Sequence, residues 1–573
     1  MILREWEIWN TYSAYFDSGI PELHEAASLL VRSRLAPACV LADGRVYWWH
    51  SGKVKWAQST ISANASTGSM TLSIPEASGL GGYALEGVCQ AAAMLRKELD
   101  LFGPTAPLLR PHLRALLQRC HLKSEEFDLG VYPLLKLYGN GIISVEVRII
   151  GPNRQVGLNE FIRDYVNLPF AGHDAVGVPP ALAKLAPRVS DRRVRKSLRH
   201  RVRSVRQARV HDSEVTKQTR IENSSDFQFE LAPLARDDSH QREALSDLAL
   251  TIISSVGYVL SKPRESLRFL ILGPKPTLEI GPRWVARPHI HLIRHVGQEE
   301  SASANEARYR DAFGWILART AGHPRELGRR FLPKSGRAFE DFSAYINSAA
   351  SLWVQAGQGL KRVKKEDADP NRGEFIYENQ VKTELLDYGY ILARWLSDRV
   401  SNSSYSSDAV LSLRRTLAKL EAEMNDVSRF GELKDFLLAG WEAMGVGRIR
   451  ESIVKTLAIA EAEAALSAAR RESRWRTGLS VLFGVAVVPR LAADVLQPLC
   501  RVLGLSIPQD ANAQLLYFNS IAALGVAVVL LIIHRFRPFR KKPQSKYGVE
   551  GQRPVGLRWT RFGTPRAPLH TLS

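Results

Sequence analysis

Cysteine is scarce in this chain: four in 573 residues, at Cys39, Cys89, Cys120 and Cys500. They are scattered and form no CxxC pair. That excludes a disulfide framework and a cysteine zinc site, and it fits a reduced, cytosolic pattern. Catalytic signatures are missing as well. There is no GxxxxGK followed by Ser or Thr, no HExxH, no GxSxG and no EF-hand loop, so no nucleophile or general base is marked out. Leu80-Gly81-Gly82-Tyr83 precedes a helix without the spacing of a dinucleotide site and reads as a turn into that helix. An apolar leader is also absent from the start: MILREWEIWN has two acids by residue seven, which leads to the expectation of a cytosolic N-terminal part.

Acidic residues are in deficit. The 58 Asp and Glu face 78 Lys and Arg, a net charge of +20. Such a balance points to an anionic partner: lipid headgroups, nucleic acid or an acidic protein. Hydrophobic content of 45% and charged content of 24% are globular, and the length suits two or three domains.

The longest apolar run is Leu515 to Ile533, with only Asn519 and Ser520 polar. At ~1.5 Å per residue it nearly matches a hydrocarbon core of ~30 Å. A weaker run, Gly478 to Leu499, precedes it. Arg470, Arg471, Arg474 and Arg476 flank the pair on one side, and Arg535, Arg537, Arg540, Lys541 and Lys542 on the other. Basic flanks predict a two-span hairpin in the cell membrane with both termini cytoplasmic. Arg490 and Asp494, spaced i,i+4, are a candidate polar pair, either lining a pore or ending a span at the interface.

From about 375 to 475 the pattern is helical. Val410, Leu413, Leu417, Leu420, Met424 and Val427 recur at heptad spacing, which serves self-association or antiparallel packing within one chain. The N-terminal part reads as α+β. Asp43-Gly44 between CVLA and RVYWW predicts a hairpin. A second hairpin is expected around Gly139-Asn140-Gly141. After it, Ile143, Val145, Val147 and Ile149 share one strand face against Ser144, Glu146 and Arg148.

Residues 188–209 hold ten Lys or Arg, with Val194, Leu198, Val202 and Val205 at helical spacing. Arg192, Arg193, Arg195, Lys196, Arg199, Arg201, Arg203 and Arg206 therefore form a candidate patch. It suits anionic lipid headgroups, nucleic-acid phosphates or plain solvation. Without interleaved aromatics, nucleic acid is the less favoured partner. In RPHIHLIRH, His289, His291 and His295 would share one side of a strand, as metal ligands do, or line an ordinary strand face.

The layout of residues 375–542 resembles the CorA-like family of two-helix membrane proteins. ESRWR stands before Gly478, and RFRPFRKK follows the second apolar run. The resemblance implies long cytosolic helices, two spans around a short external loop, and an oligomeric channel or cation transporter. The family's transporters carry Gly-Met-Asn at the outer end of the first span; here that end reads VLGLSIPQD.

The expected organisation is an α+β domain at 1–180, a basic amphipathic linker helix at 181–215, and a second α/β unit at 216–370. A helical stalk at 371–475, a transmembrane hairpin at 476–537 and a basic tail at 538–573 follow. The expected function is an integral membrane protein holding a cytosolic sensing or scaffolding region at the inner membrane face. The alternatives are the CorA-like channel, and a membrane-held nucleic-acid-binding or metal-dependent effector. The expected partners are the lipid bilayer and a possible second copy of the chain. No cofactor is expected.

Overall fold

A computed structural model describes residues 1–16, 20–63, 70–74, 79–103, 111–124, 127–152, 154–170, 175–182, 221–224, 227–233, 244–260, 285–320, 325–337, 339–361, 368–402, 407–425, 427, 430–491, 494, 497–504, 510–521 and 524. These residues divide into two compact units. One is Met1–Ser401 with Arg415–Ile453; the other is Asn402–Arg414 with Val454 onward.

A large mixed sheet organises the first unit. Its strands are β1 (Ile2–Tyr15), β2 (Ala38–Leu41), β3 (Arg45–His50), β4 (Lys53–Gln58), β7 (His112–Leu116), β8 (Cys120–Ser124), β9 (Phe127–Tyr138), β10 (Ile142–Ile150), β11 (Val156–Gly157), β12 (Ala175–Val178), β13 (Ile221–Ser224), β14 (Phe227–Pro233), β15 (Val285–His295), β16 (Phe342–Ile346) and β17 (Ser351–Gln355). A separate hairpin pairs β5 (Thr60–Ala63) with β6 (Met70–Ser73). The continuous order is β13-β14-β12-β8-β9-β10-β1-β15-β17-β16, and β7 leads off β9 to β2, β3 and β4. Strands from the expected 1–180 and 216–370 segments thus interleave in one sheet. The joining strand is β1, antiparallel to β10 on one edge and to β15 on the other.

Both expected hairpins are present. Gly44, at φ +87°, turns β2 into β3, and Gly141, at φ +90°, turns β9 into β10. Asn140 caps the second turn by accepting from the Ile142 N–H at 3.2 Å. Such positive φ values are open to glycine and strained for other residues.

The sheet has two unlike faces. Leu3, Trp6, Ile8 and Tyr12 of β1 join Ile143, Val145, Val147 and Ile149 of β10 and Ile290 and Leu292 of β15 in the main apolar core. Helices α1 (Leu23–Arg32), α3 (Ala244–Leu260) and α4 (Ala302–Ala318) cover this side. The opposite face meets α2 (Gly82–Phe102) and α6 (Ala368–Asn402); α5 is Arg325–Phe331. Gly87 lets α2 settle on β7, since a Cβ there would stand 2.7 Å from Leu116 Cβ. Beside α6, α8 (Gly431–Ala443), which follows α7 (Ser407–Asn425), also meets the sheet, with Phe436 5.3 Å from Trp353 of β17 between ring centroids. Trp441 Nε1 donates to the Leu386 carbonyl at 3.1 Å.

The heptad residues Val410, Leu417, Leu420, Met424 and Val427 are buried. Ion pairs tie α7 to α9 (Val446–Leu491) of the same chain. Arg450 pairs with Glu421 in the first unit, and Arg414 pairs with Glu461 in the second.

The C-terminal hairpin is a correction. Among the described residues, no helix is long and apolar enough to cross a membrane. The first expected span is the end of α9, where eleven residues from Gly478 to Val488 precede Pro489 and Arg490, and the helix stops at Leu491. A span needs about 20 apolar residues. Of the second, only 515–521 and 524 are described; the rest, with the tail at 538–573, lies outside the described residues. The two-span hairpin, the multi-pass cell-membrane location and the CorA-like membrane character accordingly find no support, nor does the membrane anchor, channel or membrane-held effector built on them. The helical stalk is also revised: its first helix, α6, lies on the sheet.

The α6–α8 crossing is sensitive to one methyl group. A Cβ at Gly389 would stand 2.5 Å from Trp441 Nε1, and one at Gly440 would stand 2.7 Å from Leu386 Cδ2. Gly389→Ala is expected to cost about 1–3 kcal/mol of stability through overpacking, measured by chemical denaturation. Unchanged stability would contradict this close crossing.

Candidate functional site

The face of α6 turned to the sheet is polar. Gln380, Thr383, Glu384 and Asp387 fall three or four residues apart, share one stripe and are all buried. Opposite them, alternate residues of five strands point out of the apolar core: His112 and Arg114, Lys136, Glu146 and Arg148, Glu7, and Arg287, His289 and His291. Period-two alternation puts them there. All are buried except the half-buried Arg148.

The first cluster centres on Glu384. Its Oε1 accepts from Arg114 Nη1 at 2.9 Å, and its Oε2 from Lys136 Nζ at 2.7 Å. Glu98 of α2 pairs with the same two cations, and its Oε2 lies 3.1 Å from His112 Nε2. Burial pushes both carboxyls up, but Arg114 and Lys136 outweigh it and hold them below the usual range, with His112 adding to the effect at Glu98. His112 is held low by burial, against the pull of Glu98. Glu146 goes the other way: burial, and then the charge of Glu384, push it well above the carboxylate range.

The second cluster centres on Asp387. Arg287 Nη1 donates to Oδ1 at 2.6 Å, and His289 Nε2 donates to Oδ2 at 2.8 Å. Ser351 Oγ lies 2.7 Å from His289 Nδ1. The carboxylate can only accept, so His289 donates to it from Nε2, while Nδ1 meets the Ser351 hydroxyl. The connectivity is that of a serine, histidine and aspartate relay. Its setting argues against acyl transfer. Ser351 is fully buried at the first position of β17, where it pairs with His289 of β15 and Ile346 of β16. Acyl transfer needs free donors aimed at a developing oxyanion. The relay instead ties α6 to two strands, and Arg287 Nη2 extends it to the Asn347 carbonyl at 2.8 Å.

A third group lies further along. Arg148 forks onto Glu7 at 2.8 and 2.9 Å, and Trp9 Nε1 donates to Glu7 at 3.1 Å. His291 Nε2 donates to Gln380 Oε1 of α6 at 3.3 Å. Near the end of α6, Tyr15 Oη donates to Asp398 at 2.7 Å.

The structure divides the three candidate metal histidines. His289 and His291 face α6, whereas His295 packs edge-on against Tyr309 of α4, ring centroids 4.8 Å apart. A register shift in the β1–β15 pairing, between Leu3 and Trp6, breaks the strict alternation. Among the described residues, no group of three His, Cys, Asp or Glu side chains is arranged to hold a metal. Arg490 is at the end of α9 with its side chain outside the description, and Asp494 is exposed. The basic patch Arg192 to Arg206 lies wholly outside the described residues.

Sequence reasoning missed Glu98, Arg114, Lys136, Glu384, Asp387, Arg287 and Ser351 as site residues. The available signal was a single charge inside an apolar strand, as in HLRAL (112–116) and PLLKLY (133–138).

Removing one member of the first cluster strands its partners. Glu384→Ala is expected to cost about 3–5 kcal/mol, because Arg114 and Lys136 stay buried with Glu98 alone to balance two charges; urea unfolding measures it. Acid should also weaken the fold. Burial lowers His291 and His295 from 6.5 to about 4, so the unfolded chain takes up protons first. Stability falls as pH drops from 6.5 towards 4, by roughly 3 kcal/mol per histidine. His291→Gln should flatten the decline seen in urea midpoints measured against pH.

Comparison with family models, curated proteins and solved structures finds no match for this chain.

Proposed function

We propose that the chain is a switchable binding module in which α6 is a releasable latch over a basic sheet face. The observation that carries this reading is the row of ionised groups sealed between the sheet and α6. Buried ion pairs are poor glue: well-packed apolar residues in their place are often neutral or stabilising by about 1–4 kcal/mol. What they supply is a fixed register and contacts that water or another charged group can replace. A hydrocarbon seam has no such substitute.

Charge sets the partner's class. Glu384 and Asp387 of α6 neutralise Arg114, Lys136 and Arg287 of the sheet together with Glu98. Without α6 that surface is cationic, in a chain of net charge +20, so it suits an acidic protein segment. Catalysis is the weaker reading, because every ionised member of the first two clusters is buried in this conformation.

Hydrogen exchange of the intact protein, read by mass spectrometry, tests the latch. Amides of α6 around 376–400 are expected to open at a free energy well below that of β1 and β10. Exchange of α6 only together with those strands would contradict the reading.

A further inference from the structure

Beside the Arg114–Glu384 pair is a cavity of about 10 Å³, walled by Gly87, Ala91 and Met94 of α2 and by Arg114, Lys136 and Glu146 of the sheet. That is about the space of one water. Two of the wall residues have buried polar atoms without a hydrogen-bond partner: Arg114 Nε, and both Glu146 oxygens. Arg114 is 4% exposed and Glu146 is 2% exposed. Buried polar groups are nearly always bonded to protein or to an ordered water. A donor and an acceptor left over around one water-sized space are what a bridging water satisfies.

The charges around this space close only if Glu146 is neutral. Arg114 and Lys136 face Glu98 and Glu384, two against two. His112 of β7 and Tyr138 of β9 complete the titratable surroundings. An ionised Glu146 would be a third carboxylate against two cations, with no bond of its own.

The geometry points to a binding site for one ordered water between Arg114 Nε and the Glu146 carboxyl, with Glu146 keeping its proton at neutral pH as part of a neutral cluster under α6. Arg114 Nε–H donates to the water, and the water donates to the Glu146 carbonyl oxygen. The Glu146 hydroxyl is left to donate to the neighbouring Glu384 carboxylate. Burial, followed by the charge of Glu384, pushes Glu146 up in agreement with this. On the latch reading of α6, the shared proton regulates it. The folded value lies above the ordinary 4.5, so its stabilising effect is complete below 4.5 and is lost as pH rises through the raised value. The proton's departure puts a new negative charge beside Glu384 of α6.

Infrared spectroscopy of the full chain at neutral pH, with and without Glu146→Gln, tests the site. A protonated-carboxyl band is expected in the wild type and lost in the variant, and a crystal structure should show one water in the cavity. Absence of the band in the wild type, its survival in the variant, or an empty cavity would each overturn the inference. Should the variant not fold, a carbon-13 NMR titration of glutamate side chains in the wild type decides: one Glu still protonated at neutral pH supports the site, and none overturns it. None of these readouts needs α6 to open. Failure of the latch reading shows separately, as α6 exchanging only with the sheet.

Discussion

The structure turns on a balance of buried charge. A helix laid across a sheet normally brings an apolar stripe, but α6 brings Gln380, Glu384 and Asp387. Each ion taken from water costs several kcal/mol unless a partner meets it. The sheet must therefore offer Arg114, Lys136, Arg287 and His289 at matching positions. Those positions depend in turn on the register of β7, β9 and β15. A slip of one residue would turn every one of these side chains to the other face.

That demand explains the division of labour in the sheet. One face holds the hydrocarbon core and supplies the bulk of the stability, through Trp6, Ile8, Val145, Val147, Ile290 and their neighbours. The other spends burial on orientation. The Ser351–His289–Asp387 relay belongs to this second task. Its hydrogen bonds are those of a general base and nucleophile, yet its burial at the start of β17, under a helix, makes it a clamp between strands and α6. Site chemistry is decided by access and by free donors as much as by which side chains touch.

Local features were legible in the sequence. The Asp43-Gly44 and Gly139-Asn140-Gly141 turns lie where their residue types require, and the alternation through Ile143 to Ile149 separates the two faces of β10 correctly. The polar half of that alternation carried no sign of its partner. Arg114 and Glu384 are 270 residues apart, and nothing local to either announces the other. Histidine spacing misled for a different reason: a bulge beside Glu5 sends His295 to the α4 side. Hydropathy misled because the basic flanks and the Arg490–Asp494 pair let the weaker run pass as a span, whereas the helix ends at Leu491 after only eleven apolar-rich residues. The Arg114 and Lys136 charges inside apolar strands were the local clues to the site, since a lone cation there must find an acid across the fold.

The most direct measurement is a double-mutant cycle on Lys136→Met and Glu384→Gln, with stability read by urea unfolding of the intact chain. A buried, mutually neutralising pair predicts a coupling of about 2 kcal/mol or more, because each single change leaves the buried cluster one charge out of balance. Additive losses within ~0.5 kcal/mol would mean the two groups do not depend on each other. That result would contradict α6 being held by balanced buried charge.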